Sequence, residues 1–440
     1  MRRDFRVHDN PVITRAKKEH LSIIPVVIAE NKSSFTDDDP QSRIFQESLA
    51  HLTAEVRSYG GSVLLRAGDP VQQLADIAVS TPGSAVYSLQ PDDDKSKKLF
   101  NRAETKLKLL HIKDKSRNYS RHLSPMPTGN FQHFFRAWRR ITPQEDNLGT
   151  SSPVVFKSLH SHLRSMSIRK NPKRFPALKR KFFSDGGLLA NYAFEKHRVD
   201  ITTTSRLSPF IANGVMSQSD LFKASNFAVE KTQEMAESAK EYIRQIAWRD
   251  YFSAILQKTP EMELLSLDAS LRSIPWENHE DDYSRWINGE TGYPIVDSAM
   301  RQLATEGWIH NRLRMVVASF LVKHLLIDWR IGMLHFKSTL VDHDTAANSG
   351  NWQWIAGTAP FSAPYFRIFN PVIQGQKCDP HGSYVRQWIP ELNNVPDTYI
   401  HDPWSYRKKT EGYPAPIIDH MRARMRALQT FKTARTLAIS

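Results

Sequence analysis

One stretch of the chain, DHDTAANSGNWQW, combines acidic, amide and indole side chains at close spacing. Asp342, Asp344 and Asn348 supply carboxylate and amide groups, and Trp352 and Trp354 follow closely. Successive residues of a helix are about 100° apart, so the two indoles of a helical segment point to roughly opposite sides. The stretch predicts the wall of a ligand pocket with a second surface behind it, although a core helix of unusual composition explains the same residues.

A second candidate is the turn formed by Thr204, Ser205, Arg206, Leu207 and Ser208, ahead of a predicted helix. Three hydroxyls and an arginine suit a phosphate or pyrophosphate. The helix N-terminus adds free N–H groups and the positive end of the helix dipole. An ordinary capping turn explains the same residues, so the turn alone leaves both interpretations open.

The usual signatures of other site classes are absent from the sequence, which contains no GxSxG, HExxH, P-loop or GxGxxG motif. Carboxylate and imidazole groups in Asp342-His343-Asp344 are possible metal ligands. Neighbouring side chains on a helix diverge, however, and no partner motif is evident, so we predict no metal site. The single cysteine, Cys378, excludes an intrachain disulfide and a cysteine-based zinc site.

Residues 1–113 alternate between strand and helix patterns, which predicts a doubly wound, Rossmann-like α/β domain with a parallel sheet. A helix start at Asp9-Asn10-Pro11 has few residues before it, so we expect that this domain lacks its usual first strand. The predicted strands are Ser22–Ala29, Ser62–Leu65 and Ala85–Leu89, and the predicted helices are Gln41–Tyr59, one that begins at Asp69-Pro70, and residues 92–109.

Residues 114–185 are basic, rich in proline and poor in periodicity, which predicts a long surface connector held down by the aromatic patch Phe131–Trp138. A solvated connector is favoured over a nucleic-acid-binding segment. Residues 186–440 show helical patterns and no strand signals, which predicts an all-α domain. Its predicted helices include Ser219–Ala228, Lys231–Gln257, Ile295–Ala304, Asn311–Asp328 and His420–Ala434.

The composition is basic and rich in aromatic residues. The chain of 440 residues has 60 Lys and Arg against 46 Asp and Glu, a formal net charge of +14, with 10 Trp. This excess suits a polyanionic partner such as nucleic acid, although a generally basic protein explains it too. No apolar run reaches the ~20 residues that span a bilayer, and the N-terminus lacks the apolar core of a secretory signal.

The two candidates above, taken with the motifs WRDY at 248–251, TGYPIVD at 291–297 and WIHNRLRM at 308–315, resemble the FAD-binding helical domain of the photolyase/cryptochrome family. The α/β part resembles the antenna domain of that family. The chain as a whole most resembles class I photolyases that repair cyclobutane pyrimidine dimers. The resemblance implies bound FAD, UV-damaged DNA as the partner, a monomer, and a cytoplasmic protein if the source is bacterial.

The resemblance also assigns FAD contacts to individual residues. Tyr192 and the turn Thr204, Ser205, Arg206, Leu207 and Ser208 match phosphate and ribose contacts. Asp342 and Asp344 match carboxylates near the flavin ring and ribose, with Arg314 placed to pair with Asp342. Asn348 matches the residue that faces flavin N5, where a neutral amide suits the reduced flavin that must donate an electron; related photoreceptors tend to carry Asp or Cys there.

Trp352, Trp329 and Trp276 match the three-tryptophan electron relay of the family, and three ordinary core tryptophans are the alternative. On the substrate side the resemblance places Gln245, Trp248, Arg249, Asn311, Met315 and Trp354. Trp248 and Trp354 would stack on a flipped-out lesion. Candidate phosphate contacts are Lys196, Arg249, Arg312 and Arg367.

Three residues bear on the lesion. Asn311 and Met315 resemble dimer photolyases, since (6-4) photolyases carry histidine at both places. Gln245 departs from the glutamate usual in dimer photolyases and is typical of (6-4) enzymes and animal-type cryptochromes. We therefore expect light-driven repair of cyclobutane pyrimidine dimers, with a cryptochrome-type photoreceptor or a (6-4) photolyase as alternatives. Folate, deazaflavin and no antenna pigment at all stay open as alternatives, because SLQPDD at 88–93 matches the antenna contacts of the family poorly.

Overall fold

A computed structural model describes residues 4–19, 22–89, 94–112, 130–140, 155–157, 173–229, 232–361, 366–406 and 412–438. The described residues belong to two compact units. The first unit comprises the described residues within Met1–Met126, Gln132–Ala190 and Ser205–Gln257. The second comprises those within Pro127–Phe131, Asn191–Thr204 and Lys258–Ser440. These units, called the N-unit and the C-unit below, divide the chain differently from the domain boundaries expected from the sequence, which stay a prediction.

The N-unit begins with alternating helices and strands: α1 (Pro11–Glu19), β1 (Val26–Ala29), α2 (Pro40–Ser58), β2 (Leu64–Ala67), α3 (Pro70–Ser80), β3 (Val86–Leu89), α4 (Asp94–Glu104) and β4 (Leu109–Ile112). β1 pairs in parallel with β2, and β3 pairs in parallel with β4. Within the described residues these are two separate two-stranded sheets. The α/β class predicted from the sequence is confirmed.

Aspartate caps explain where the first helices begin. Asp39 accepts from the backbone N–H groups of Gln41 and Ser42, and Asp69 accepts from that of Gln72, each with proline at the first helical position. The predicted helix over 92–109 was wrong at its end. The helix stops at Glu104, and Leu109–Ile112 is a strand, because a short apolar run has no period that separates helix from strand.

The N-unit continues with α5 (Phe131–Trp138), α6 (Arg174–Phe183), α8 (Ser208–Ala212), α9 (Gln218–Val229) and α10 (Gln233–Lys258). The expected anchoring of the aromatic patch is confirmed, since Phe134 and Trp138 are buried and the Trp138 indole N–H donates to Asp250 at 2.8 Å. The helix α6 was not predicted; it buries Phe175 and Phe182 inside a segment whose prolines and positive charges suggested a connector. The rest of that connector lies mostly outside the described residues.

The described residues of the C-unit form helices joined by loops, without a strand: α7 (Tyr192–Glu195), α11 (Glu280–Asn288), α12 (Pro294–Glu306), α13 (Asn311–Ser319), α14 (Trp329–Thr339), α15 (Thr345–Ala356), α16 (Pro371–Cys378), α17 (Ser383–Trp388) and α18 (His420–Leu437). The helix predicted over Asn311–Asp328 is shorter. It passes into a π-helix at Phe320–His324, and Leu326 then takes a φ of 49° that ends it. No described helix has the length and apolarity to cross a membrane.

Candidate functional site

Helix α15 carries most of the stretch singled out in the sequence. Its N-cap is Asp344, whose Oδ1 accepts from the backbone N–H of Ala347 at 3.0 Å. It ends at Gly357, where a φ of 80° suits glycine. Buried Gln353 ties the helix to its surroundings by donating to the carbonyls of Met262 and Leu265. The helix is therefore fixed at its start and near its end.

Asp342 lies in the loop before α15 and forms a two-pronged ion pair with Arg314. Arg314 Nη1 and Nη2 donate to its two carboxylate oxygens at 3.0 and 2.8 Å. Arg314 Nε also donates to the carbonyl of Ile309, which orients the guanidinium. The Asp342 carboxylate is almost wholly buried. The predicted pairing is confirmed, and it holds a buried negative charge in one orientation.

Asn348 is buried, and its side-chain amide is oriented by the neighbouring helix. Nδ2 donates to the backbone carbonyl of Met333 on α14 at 3.0 Å. This bond uses one of the two Nδ2 hydrogens and fixes the direction of the amide, so that Oδ1 is a neutral acceptor of defined orientation. An acceptor suits the N5–H group of a reduced flavin, which is the role that the resemblance implies.

Trp352 lies in the core of the C-unit at 2% exposure. Its ring meets the edge of Phe336 at 5.1 Å between centroids and lies against Gly332, where any β-carbon would collide with it. Its indole N–H has no hydrogen-bond partner among the described residues. This tightly packed aromatic environment with an unpaired indole N–H is compatible with both roles of Trp352, a member of the electron relay and an ordinary core residue.

Trp329 belongs to the same core cluster as Trp352, and Trp276 packs against that cluster. Trp329 is fully buried and donates its indole N–H to Ser266 Oγ at 3.4 Å. Trp276 is half-buried and meets the edge of Phe431 at 5.9 Å. Trp276, which would form the outer end of the relay, is thus more exposed than Trp329 and Trp352. The relay itself stays a prediction.

Helix α13 presents the C-unit residues assigned to the lesion. Asn311 is exposed and Met315 half-buried, and they lie one turn apart on one face. His310 caps the helix, its Nδ1 accepting from the backbone N–H of Arg312. Trp354 is half-buried against the core cluster, whereas Trp352 is enclosed, so the two tryptophans of α15 differ in access as helical spacing predicts.

Several basic side chains of the C-unit are accessible. Arg312 lies 3.0 Å from His197 Nδ1, Lys196 is half-buried, and Arg367 is exposed. The Arg367 carbonyl accepts from the buried ammonium of Lys323, which also lies 4.4 Å from the centre of the Phe366 ring. Burial lowers the pKa of Lys323 to about 7. The backbone of Arg367 is therefore anchored while its side chain stays in solvent.

In the N-unit, the predicted phosphate turn is ordered by its own hydroxyls. Ser205 Oγ lies 3.2 Å from the Tyr242 hydroxyl and accepts from the backbone N–H of Leu207. Burial raises the pKa of Tyr242 to about 12, so this phenol stays protonated. Arg206 takes a φ of 50°, which costs energy for a non-glycine residue and marks a constrained turn. The helix that Ser208 opens, α8, has five residues, so its dipole adds less than the sequence suggested.

Helix α10 carries the remaining substrate candidates on one face of the N-unit. Gln245, Trp248 and Arg249 follow at i, i+3 and i+4, with Gln245 exposed and the other two half-buried. The Trp248 ring packs against Tyr251 and Phe252 at 5.6 and 5.5 Å between centroids. The indole is therefore held as a rigid aromatic surface.

Sequence reasoning missed the residues that hold the assigned ones in place. Met333 anchors Asn348 through its carbonyl, Phe336 packs on Trp352, and Gly332 gives that ring room. A backbone carbonyl carries no sequence signal. A glycine inside the helical run WRIGMLHF was the one available sign of a close approach.

The residues present fit FAD. Tyr192, at the start of α7, is buried. The buried Thr203 hydroxyl has no hydrogen-bond partner among the described residues, next to the assigned Thr204. Such an orphaned group is expected where a ligand supplies the partner. No group of three or more His, Cys, Asp or Glu suited to a metal ion occurs in the described part of the chain.

Comparisons with known proteins agree on one family. The profile of the FAD binding domain of DNA photolyase matches residues 242–433, and the DNA photolyase profile matches residues 1–144. A deoxyribodipyrimidine photo-lyase of Streptomyces griseus is 33% identical over 99% of this chain and 98% of its own length. That of Alkalihalophilus pseudofirmus is 42% identical over 56% of this chain, a match that spans about half (52%) of the relative's length.

Solved structures similar to this chain belong to the same family. The bacterial class III photolyase from Agrobacterium tumefaciens is 30% identical with a TM-score of 0.85, covering 99% of this chain and 97% of its own. The Synechocystis cryptochrome is 26% identical with a TM-score of 0.82, covering 98% of both. The chain belongs to the DNA photolyase family, which binds FAD and acts on DNA. Of the antenna motif, residues 90–93 lie outside the described residues, so the antenna pigment stays open.

Proposed function

We propose that this protein is a deoxyribodipyrimidine photo-lyase that splits cyclobutane pyrimidine dimers in UV-damaged DNA under blue light. The observation that carries the proposal is the buried Asn348, a neutral amide whose direction is fixed by the bond from Nδ2 to the Met333 carbonyl. A neutral amide favours the reduced flavin as a standing electron donor. The full-length photo-lyase relative supports the same activity.

FAD supplies the light absorption and the electron that opens the cyclobutane ring. On the side of the chain, Tyr192, the Thr204–Ser208 turn, Asp344 and the Arg314–Asp342 pair would hold FAD. The buried pair keeps Asp342 charged and directed, so that it can accept from an N–H group of the ring. Asn348 would offer Oδ1 to a flavin N–H.

The substrate residues have separate tasks in this proposal. Trp248 and Trp354 would stack on the flipped-out dimer, and Asn311 would bond to the polar edges of its bases. Met315 would fill apolar space beside them. Lys196, Arg249, Arg312 and Arg367 would bind phosphates and position the DNA.

Trp352, Trp329 and Trp276 would return FAD to its reduced state by passing electrons inward from solvent. The buried positions of Trp352 and Trp329 and the half-buried position of Trp276 support this order. In a bacterial cell the proposed substrate places the protein in the cytoplasm at the genome, and we expect it to act as a monomer.

The second candidate is a cryptochrome-type photoreceptor, and Gln245 is the observation that favours it. Gln245 is exposed on the same face of α10 as Trp248. A glutamine can still donate to a thymine carbonyl, so it permits repair. Asn348 and Met315 favour the photo-lyase, and Asn311 with Met315 opposes a (6-4) photolyase.

The deciding experiment illuminates purified protein with reduced FAD and duplex DNA that carries one defined lesion. We expect intact thymines to be recovered from a cyclobutane dimer and not from a (6-4) product. Recovery from the (6-4) product alone would reassign the lesion. No repair of either, with a light-dependent change of the flavin spectrum, would establish the photoreceptor instead.

A further inference from the structure

Trp352 is the first ring of an aromatic row that crosses three helices of the C-unit and contains neither of the other relay tryptophans. Among the described residues, the ring that contacts Trp352 is that of Phe336 on α14, at 5.1 Å between centroids. Phe336 stacks on Trp286 of α11 at 6.4 Å, with 18° between the ring planes. Trp286 in turn stacks on Tyr283 at 6.1 Å, with 24° between the planes. Three successive ring contacts therefore join Trp352 to Tyr283.

The aromatic row leads from the core to an accessible side chain. Trp352, Phe336 and Trp286 are buried, whereas Tyr283 is half-buried. Electron transfer weakens steeply with the distance between donor and acceptor, so closely spaced rings conduct an electron better than the same span of aliphatic side chains. Tyr283 is the member of the row that can also exchange a proton with solvent.

The rings of the aromatic row are held by helices. Tyr283 and Trp286 lie at i and i+3 on α11, which places them side by side on one face. The helix ends at Gly289, whose φ of 66° suits glycine. Phe336 lies on α14, which packs against α15 and its Trp352. The contacts between the rings are therefore built into the packing of regular elements.

Hydrogen bonding favours a positive charge on Trp286 over one on Trp352. An oxidised indole is cationic, and its N–H becomes a stronger donor, so a carbonyl acceptor stabilises it. The N–H of buried Trp286 donates to the carbonyl of Val317 at 3.1 Å, whereas that of Trp352 has no partner among the described residues. Trp329 has only the Ser266 hydroxyl, at 3.4 Å. A positive charge formed on Trp352 is therefore drawn toward Trp286.

The charges around the outer end of the aromatic row favour the same direction. The His335 ring lies 5.5 Å from that of Trp286 and 6.4 Å from that of Tyr283. Burial lowers the pKa of His335, so at neutral pH this imidazole adds no positive charge beside the row. The first turn of α11 contains the acidic residues Glu280, Asp281 and Asp282, against one basic residue in its last turn, Arg285. Excess negative charge near Tyr283 stabilises a positive charge that reaches it.

Tyr283 is suited to end the transfer, because its oxidation releases a proton. Burial raises the pKa of Tyr283, so the phenol is protonated at neutral pH. An oxidised phenol is a strong acid, and the half-buried position gives the proton a way to solvent. Once the proton has left, return of the electron requires the proton as well. The charge-separated state is therefore long-lived.

We propose that Phe336, Trp286 and Tyr283 form a second electron route to Trp352, with Tyr283 as the terminal donor. The inference rests on the proposed function in one respect, the loss of an electron from Trp352 under light. Tyr283 supplies one electron, which passes through Trp286 and across the Phe336 ring and restores Trp352 to the neutral indole. Tyr283 gives its proton to solvent and becomes a neutral radical. A thiol in the medium then donates a hydrogen atom to this radical, which restores the phenol and leaves a thiyl radical.

The test interrupts the three-tryptophan relay beyond Trp352 and leaves the aromatic row intact. The variant Trp329→Phe, loaded with oxidised FAD and a thiol, is illuminated with blue light. We expect photoreduction within tenfold of the parent rate, and a tyrosyl radical signal in transient absorption and electron paramagnetic resonance. Formation of this radical should be at least twofold slower in D₂O, because the phenol loses its proton in that step.

A second substitution identifies the tyrosine. Trp329→Phe combined with Tyr283→Phe should photoreduce at least tenfold more slowly than Trp329→Phe alone and should lose the tyrosyl signal. The matched control combines Trp329→Phe with Tyr399→Phe, at a tyrosine that is 38% exposed and lies outside the aromatic row. It should behave as Trp329→Phe does. The same comparisons in a Trp276→Phe background keep the test decisive if Trp329→Phe fails to fold.

Two results would overturn the second route. One is equal photoreduction with and without Tyr283 in both backgrounds, and the other is a tyrosyl signal that survives Tyr283→Phe. Trp352→Phe distinguishes these results from a failure of the relay as a whole, because parental photoreduction in that variant would remove both routes together. The readout is photoreduction and a radical spectrum, so the outcome for the second route is the same whether or not the protein repairs the proposed lesion.

Discussion

Trp352 is enclosed by Phe336 and Gly332, and its indole N–H meets no acceptor among the described residues. Trp352→Phe therefore removes no hydrogen bond and keeps an aromatic ring in the core, so the variant should fold. We predict at least tenfold slower photoreduction of bound FAD, followed by its absorbance under blue light. Repair by enzyme that was reduced chemically beforehand should stay within twofold of the parent, because the relay serves only to recharge the cofactor.

The control for that variant is Trp388→Phe, which also loses a buried indole N–H without a partner in the described part of the C-unit. It should photoreduce at the parental rate. Loss of repair by pre-reduced Trp352→Phe would assign this residue a task beyond the relay.

The ion pair between Arg314 and Asp342 gives a second prediction at the level of single residues. Arg314→Met leaves a nearly buried carboxylate without its partner, which should lower the free energy of unfolding by about 2–3 kcal/mol in urea titrations of the FAD-free protein. The value lies below that of a fully buried pair because Arg314 keeps some solvent contact. The double variant Arg314→Met with Asp342→Leu should recover most of this loss; a double variant as unstable as the single one would contradict the buried-charge explanation.

These residues also show what sequence can and cannot give. The pairing of Arg314 with Asp342 followed from chain order within a resemblance, and the structure contains it. The orientation of Asn348 did not follow, because it depends on a backbone carbonyl of another helix. Side-chain identity predicts which groups are available, whereas their direction is set by packing that the sequence does not display.

At the scale of elements, α15 depends on its N-cap. Asp344→Ala removes the acceptor for the Ala347 N–H and should cost about 1 kcal/mol of stability. Asp419→Ala removes an equivalent cap from α18, where Asp419 accepts from the Arg422 N–H at 2.8 Å, and should cost a similar amount. We predict that only Asp344→Ala lowers FAD affinity, by at least tenfold in equilibrium titration. Equal affinity of the two variants would limit Asp344 to capping.

Elements with a strong period or a cap were predictable, and those decided by tertiary contacts were not. The Asp69-Pro70 cap marked the start of α3 correctly, and the helical spacing of Gln41–Tyr59 agrees with α2 at Pro40–Ser58. The strand β4 was not predicted, and the predicted helix ran into its first residue, Leu109, because the four residues of β4 take their conformation from pairing with β3. The π-helix after α13 and the turn at Leu326 lie inside a mostly apolar run that continues the helical pattern, so no sequence signal separates them from α-helix.

For the whole molecule, the net charge of +14 acts through the association of the protein with DNA. Each phosphate that a basic side chain neutralises releases counterions, so affinity falls with salt at a log–log slope of about −0.9 per contact. The salt slope therefore distinguishes a side chain that contacts a phosphate from one that only adds to the net charge. Loss of a side chain that makes no phosphate contact can change the affinity but leaves the number of contacts, and so the slope, unchanged.

Arg367 tests this distinction, because its backbone is held by Lys323 while its guanidinium is exposed. Arg367→Gln should weaken binding to dimer-containing duplex DNA and reduce the magnitude of the salt slope by about 0.9, measured by fluorescence anisotropy between 50 and 200 mM salt. Arg435→Gln removes the same charge from the exposed end of α18 and should leave the slope unchanged. Both variants lower the net charge by one, so equal slopes would mean that Arg367 acts through the overall field and contacts no phosphate.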